Sequence, residues 1–442
     1  TIALELIDLT ADGRSVWNQA AGGVIDIDNT GALTVTDVVE STDGIINLTA
    51  NSPIIVNADI ISNGGDINLT ANNADGYIDI NANIDSTGAT DGDITLLAYG
   101  VNGSDVSIDE DSGADIIADS GTIDIQAKGA NSGDIILSDV FASTGSINVR
   151  AENGSINDDN DDTTYLNSVA ITLNATDNIG NDGTMPPIPP VEMLDIWTPT
   201  LVAGSITVGS DAGDLETDNI YLNFLNGDFY YSYIASDDAT GTIVYFADSG
   251  DTYIDVPVND PAAEMHFGAM NDLFVQADIT LTSPNSLLGL HAGNDINLSD
   301  LAGLTIDIGG GTGTLVAEAD IDDNDTGRVY TGAGNRLTLD VENLVLMAAT
   351  GIDVETTGDY NLAASNDVSG DLIVDNNGDI GIFDATTIDA LYPDGVIADG
   401  QTVALKASNG SITDEGATVD ITADQAAVSY THLRAHETRH DL

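Results

Sequence analysis

One repeated sentence constrains this chain more than any other feature. Residues 147–158 read I-N-V-R-A-E-N-G-S-I-N-D, and residues 403–414 read V-A-L-K-A-S-N-G-S-I-T-D. Apolar, basic, turn and acidic positions match throughout. In the first copy Ile147, Val149 and Ala151 alternate with Asn148, Arg150 and Glu152, so the two sets fall on opposite faces of an extended strand. Asn153-Gly154 follows, a pair that tolerates positive φ and turns the chain. A unit that returns with its chemistry intact marks a repeat array, to be settled before any other fold class.

The spacing narrows the array to one architecture. The hexapeptide I-N-L-T-A-N stands at residues 46–51 and again at 67–72, 21 residues on. Further copies begin at Ile78, Ile94, Ile123, Ile147 and Ile171, the last three 24 residues apart. Most follow Gly-Asp, Gly-Thr or Gly-Ser. Short strands at this period leave no room for a βαβ crossover. Tandem sandwiches would repeat at about 100 residues. A parallel β-helix spends about 20–25 residues per coil. Its equivalent Ile and Leu side chains stack at ~4.8 Å, which predicts roughly 16 to 20 coils and a rod on the order of 80–95 Å.

The rhythm divides the chain into β-helix repeats over 1–180, an irregular insertion or distorted coils over 181–275, repeats again over 276–428, and a tail at 429–442. The middle opens with a Pro-rich stretch at 185–190, which reads as a loop leaving the rod. Nine of the chain's 22 aromatic residues lie between 221 and 253. Asp260-Pro261-Ala262-Ala263-Glu264 predicts a helix start, with Asp as N-cap and Pro behind it. The tail holds three of the five histidines. Its stretch S-Y-T-H-L-R-A-H-E-T resembles translated sequencing adapter, so it is set aside as artefactual or disordered. The chain begins inside strand-like sequence, which predicts a fragment of a longer protein.

Charge limits the partners. Eight Lys and Arg face 74 Asp and Glu, a formal charge of −66. Nucleic acid and anionic membranes are excluded, because both need clustered basic residues. Cations such as Ca²⁺, or screening salt, must offset so much negative charge; both suit an extracellular setting. Cysteine is absent, so disulfide frameworks and thiol chemistry are excluded.

The units G-D-I-N-L-T-A at 65–71 and N-G-S-I-T-D at 409–414 resemble the β-strand repeats of filamentous-haemagglutinin-like and autotransporter-type bacterial surface adhesins. That resemblance implies a right-handed parallel β-helix displayed at the bacterial cell surface. It also implies attachment to surface glycans or to host or neighbour-cell proteins.

Two sets of residues are candidates for sites. Asp158, Asp159, Asp161 and Asp162, and then Asp320, Asp322 and Asp325, concentrate oxygen ligands on turns, where Ca²⁺ would be the cofactor. The second set departs from an EF-hand, lacking its twelfth-position Glu and its flanking helices. Tyr221, Tyr230, Tyr231, Tyr233 and Tyr245 would offer rings to sugars or to a partner protein, against the alternative that they fill a wider coil. No catalytic set is assigned. The basic residues are few, Arg150 and Lys406 occupy equivalent repeat positions, and His266 and His291 lie in no recognisable triad context. The reading is a non-enzymatic extracellular adhesin. The competing classes are a secreted polysaccharide lyase or hydrolase and a purely structural surface-layer or matrix protein. A cleft with a basic residue facing grouped carboxylates would favour the enzyme.

Overall fold

The structure, a computed structural model, describes residues 2–430 apart from 7–8, 11–15, 19, 74–75, 101–104, 109–113, 129–132, 160–163, 181–192, 210–217, 238, 240, 390 and 415–420. The Pro-rich stretch and the tail beyond residue 430 therefore lie outside the described residues. The chain forms two compact units, residues 1–227 with 232–245, and residues 228–231 with 246–442. Each is a parallel β-solenoid.

In the first unit Ile25, Ile46, Ile67, Ile94, Ile123, Ile147 and Ile171 stack in register, turn upon turn. Strands such as Ile46–Ala50 and Ile67–Ala71 alternate buried and half-buried positions. The β-branched and Leu positions turn inward, and Asn and Thr turn outward. The outward Asn68 donates to Asn47 of the turn before at 3.0 Å. The second unit repeats the design, with Ile352, Leu372 and Val403 in one inner ladder. Together the strands make about 15 turns, fewer than the spacing predicts, because turns lengthen. Turn-to-turn bonds join residues 21 apart near Asn68, 29 apart near Ser120 and 36 apart near Asn335. The extra residues fall between the strands, where lengthening is tolerated.

The acidic residues before each strand have a structural task. In the second unit the Asp228 carboxylate accepts from the backbone N–H of Asp251, Asp251 from Asp272, Asp272 from Asp295, and Asp295 from Arg328, at 3.0, 3.1, 3.0 and 3.0 Å. In the first unit Asp66 accepts from Asp93 at 3.1 Å and Asp93 from Thr122 at 2.7 Å. A parallel ladder stops where each strand begins, and these carboxylates satisfy N–H groups that would otherwise lack a partner.

The glycine two residues before the stacked isoleucine is equally placed. A Cβ on Gly44, Gly65, Gly92, Gly121 or Gly145 would overlap the carbonyl of the corresponding glycine one turn before. Only a residue without a side chain permits this backbone approach.

The helix expected at Asp260 is absent. Val258–Asp260 and Glu264–Ala269 are strands, and Asp260 Oδ1 accepts from the Ala262 N–H at 2.7 Å. This is the bond an N-cap would make, used in a turn between two strands. The aromatic-rich middle also forms rungs. Leu194–Trp197 pairs with Asn219–Leu225 in the first unit, and Phe229–Tyr230 with Thr252–Tyr253 in the second. No helix of the described residues is long and apolar enough to cross a membrane.

Candidate functional site

Two neighbouring columns on one outer face of the second unit converge on a groove. The first is the file of carboxylates from Asp228 to Asp295. The second is aromatic. Tyr230 stacks on Tyr253 at 4.7 Å and Tyr253 on Phe274 at 5.0 Å, each pair within 9° of coplanar. The same register continues through Asn297 to Tyr330 and Asp353. Parallel stacking forces equivalent residues to lie one above another, so aromatic residues at one repeat position become a stack.

Both columns meet at Arg328. Its guanidinium binds the Asp295 carboxylate through Nη2 at 2.6 Å and Nε at 3.2 Å, and lies 5.0 Å from the Tyr330 ring centroid. Beside it opens a groove of about 450 Å³ lined by Arg328, Tyr330, Thr331, Asp353, Asp371 and Ile373. The groove places a cationic donor, two carboxylate acceptors and an apolar floor within one concavity. The hydrogen bond to Asp295 raises the Arg328 pKa above the usual range. Arg328 therefore holds its proton and is unsuited to abstract one. Burial, then the neighbouring aspartates, raise Asp272 above the ordinary carboxylate range.

The first unit carries a smaller groove of about 310 Å³, lined by Tyr77, Asp79, Asp105, Asp134 and Ile136. Tyr77 and Ile136 are 37% and 36% exposed. Burial, more than the neighbouring Asp134, raises the Asp105 pKa.

The sequence candidates lie as follows. Tyr221, Tyr231 and Tyr245 are buried. Tyr245 donates to Asp237 at 2.7 Å, and Tyr231 packs edge-on against Phe267 at 5.5 Å. Tyr230 is half-buried with one ring face on Tyr253, and Tyr233 is half-buried in a 3₁₀ turn. These tyrosines mainly fill coils, which is the alternative the sequence left open. Of the acidic candidates, Asp161 and Asp162 lie outside the described residues. Asp158 is buried, and Asp159 accepts from the Thr164 hydroxyl at 2.8 Å. Asp320 accepts from the Asn324 N–H at 2.9 Å and Asp322 from the Asn324 side chain at 2.6 Å. Asp325, like Asp320, adopts positive φ. The loop's oxygens serve its own turns, and no group of three or more His, Asp or Glu placed to hold a metal ion occurs among the described residues.

A further cluster had only its histidines flagged in the sequence, and only as unplaced bases. His266 and His291 stack at 5.2 Å with Nδ1 of the first 3.0 Å from Nε2 of the second. Glu264 lies 3.0 Å from His266 Nε2 and Glu318 lies 3.2 Å from His291 Nδ1. Both rings are buried on the outer side of their sheet, and the column through His266 and Gly289 continues to Val316, on the side that Phe383, Ala385 and Tyr392 cover. Ala385, Phe383 and Tyr392 pack there against Val316, Val345 and Ala363. The available signal was the loss of alternation. M-H-F-G-A, L-G-L-H-A and L-V-L-M-A run apolar on both faces, as strands covered on both sides do.

Set beside known proteins, the chain stands on this geometry alone: no family model, no curated protein and no solved structure matches it.

Proposed function

We propose that the chain is a non-enzymatic, extracellular adhesin-like repeat protein whose outer grooves hold neutral glycans. The groove at Arg328, Asp353 and Ile373 carries this reading. Sugars offer hydroxyl groups around apolar C–H faces. Carboxylates accept from such hydroxyls, a guanidinium donates to their oxygens, and an aliphatic floor takes the C–H face. The charge of −66 repels uronate and sulfate polymers, which selects uncharged ones. Calcium acts in this reading as a diffuse counterion to that charge. The resemblance of the repeats to bacterial surface adhesins supports display at a cell surface.

The groove also offers what a lyase reading asks for, a basic residue facing carboxylates. The locked Arg328 argues against it. One size-exclusion run separates the readings, with neutral and acidic polysaccharides, with and without Ca²⁺. Neutral polysaccharide is expected to co-elute at unchanged length, with or without chelator. Asp353→Asn is expected to weaken co-elution roughly tenfold, the loss of one hydrogen bond to a charged acceptor. Shortened polysaccharide would make the chain an enzyme. Binding untouched by Asp353→Asn would remove the groove from the reading.

A further inference from the structure

We propose that His266 and His291 share a single proton between their facing nitrogens and so form a pH-dependent clasp that seats Phe383, Ala385 and Tyr392 on their sheet. Proton counting leads there. The outer nitrogen of each ring faces a carboxylate, Glu264 at 3.0 Å and Glu318 at 3.2 Å. An ionised carboxylate only accepts, so each outer nitrogen carries a proton. Were both rings neutral, two lone pairs would then face each other 3.0 Å apart, inside a buried site. One further proton turns that repulsion into an N–H···N bond. Placing an acid proton on either glutamate gives the same total. Four groups and three hydrogen bonds hold three protons, one more than two neutral imidazoles carry.

Carboxylates on both sides favour that extra charge, while burial opposes it. Glu264 and Glu318 flank it from the sheet. From the covering segment come Tyr392 and, beyond it, Asp389. Burial pushes the Tyr392 phenol up to about 12, with Asp389, Glu318 and Glu264 adding to the rise, so it stays neutral. The backbone has been cleared for the contact: a Cβ on Gly289 would overlap His266 Nδ1 and His291 Nε2. His266, Gly289 and Val316 occupy one register position on successive strands. Val316 is also where the covering segment packs, so parted rings would disturb its seat.

The clasp fails in both directions of pH. A fourth proton sets N–H against N–H. Burial above all, and then His291, hold the His266 pKa below its ordinary value, although Glu264 acts the other way. The native state therefore resists this proton while the unfolded chain accepts it near pH ~6.5. The unfolded state binds more protons there, so stability falls as pH drops below about 6.5. In alkali the third proton leaves and the lone pairs face again.

The test uses the full chain with ¹⁵N-labelled histidine and with His432, His436 and His440 changed to Gln, which leaves two histidines. At neutral pH the rings are expected to show three N–H protons and a scalar coupling between nitrogens of the two rings. Two ring protons without coupling would overturn the proposal, as would nitrogen shifts that a chelator reverses, which would assign a metal ion. Amide exchange then reads the clasp. The Ala385 and Gly395 N–H groups, bonded to Pro393 and Phe383 carbonyls at 3.1 Å, are expected to lose protection about tenfold between pH 7 and 5 after correction for intrinsic rates. His291→Gln should flatten that dependence. Should this variant misfold, Glu318→Gln is expected to deepen the acid loss of protection and move its midpoint to higher pH, because the native pair then resists the further proton still more. A pH profile shared by parent and variant would sink the clasp.

Discussion

Ile67→Asp is expected to abolish ordered structure in the turns around residues 46–98. Ile67 is fully buried, stacked between Ile46 and Ile94. The substitution removes a packed aliphatic side chain and leaves a carboxylate without a partner in the ladder. Together these cost about 5 kcal/mol or more, comparable with the whole stability of an ordinary domain. A solenoid turn contacts chiefly its two neighbours, so the damage should stay local. Hydrogen exchange should report lost protection in the strands Ile46–Ala50 and Ile94–Ala98, with strands near Ile171 retained. Leu405→Asp in the second unit should cost less, about 3 kcal/mol, because its partner Val428 is already 44% exposed. Normal melting of both variants would refute the inward assignment of these ladders.

Gly92→Ala is expected to lower stability by about 3 kcal/mol. The added Cβ would meet the Gly65 carbonyl, and a backbone atom cannot rotate aside as a side chain would. Two turns must separate to admit one methyl group. Gly22→Ala supplies the contrast. Gly22 has φ of 69° and nothing within 4 Å of the added carbon, so only the conformational penalty of about 1 kcal/mol applies. Urea midpoints of the two variants would separate close approach from backbone strain. Equal midpoints would mean that the glycine file is a turn preference only.

The solenoid was legible because its cause is periodic. Ile46-Asn47-Leu48-Thr49-Ala50 and its copy at Ile67 declare strand, face and turn length in a single repeat. Charge was harder to read. A count of acids does not show their position: the aspartate directly before a strand accepts from the next turn, as Asp66 does from Asp93. At Asp260 the sequence motif was correct and the element was not, since N-caps and turns share one hydrogen bond. The tyrosines stayed open between two readings for a related reason. Repeat position decides whether a ring points in or out, and residues 221–253 have too irregular a spacing to reveal it. The groove at Arg328 gathers residues 45 positions apart in sequence, from Arg328 to Ile373, with no local motif. His266 and His291 were visible as two histidines about one turn apart, but Gly289 between them gains its meaning only when the turns are stacked.

The direction of the hydrogen bonds has a mechanical consequence. Within each unit the backbone bonds run from one turn to the next, along the stacking direction, as from Ile67 N–H to the Asp93 carbonyl at 2.9 Å. Tension applied along that direction pulls on successive interfaces in series, so the weakest one carries the full load. A terminal turn can then peel away while those beneath it stay folded. Each released turn near Ile67, 21 residues long by its Asn47–Asn68 spacing, would pay out roughly 70 Å of chain. A unit built this way lengthens in steps under load and can re-form in steps when the load falls. It behaves as a shock absorber assembled from short, individually replaceable links.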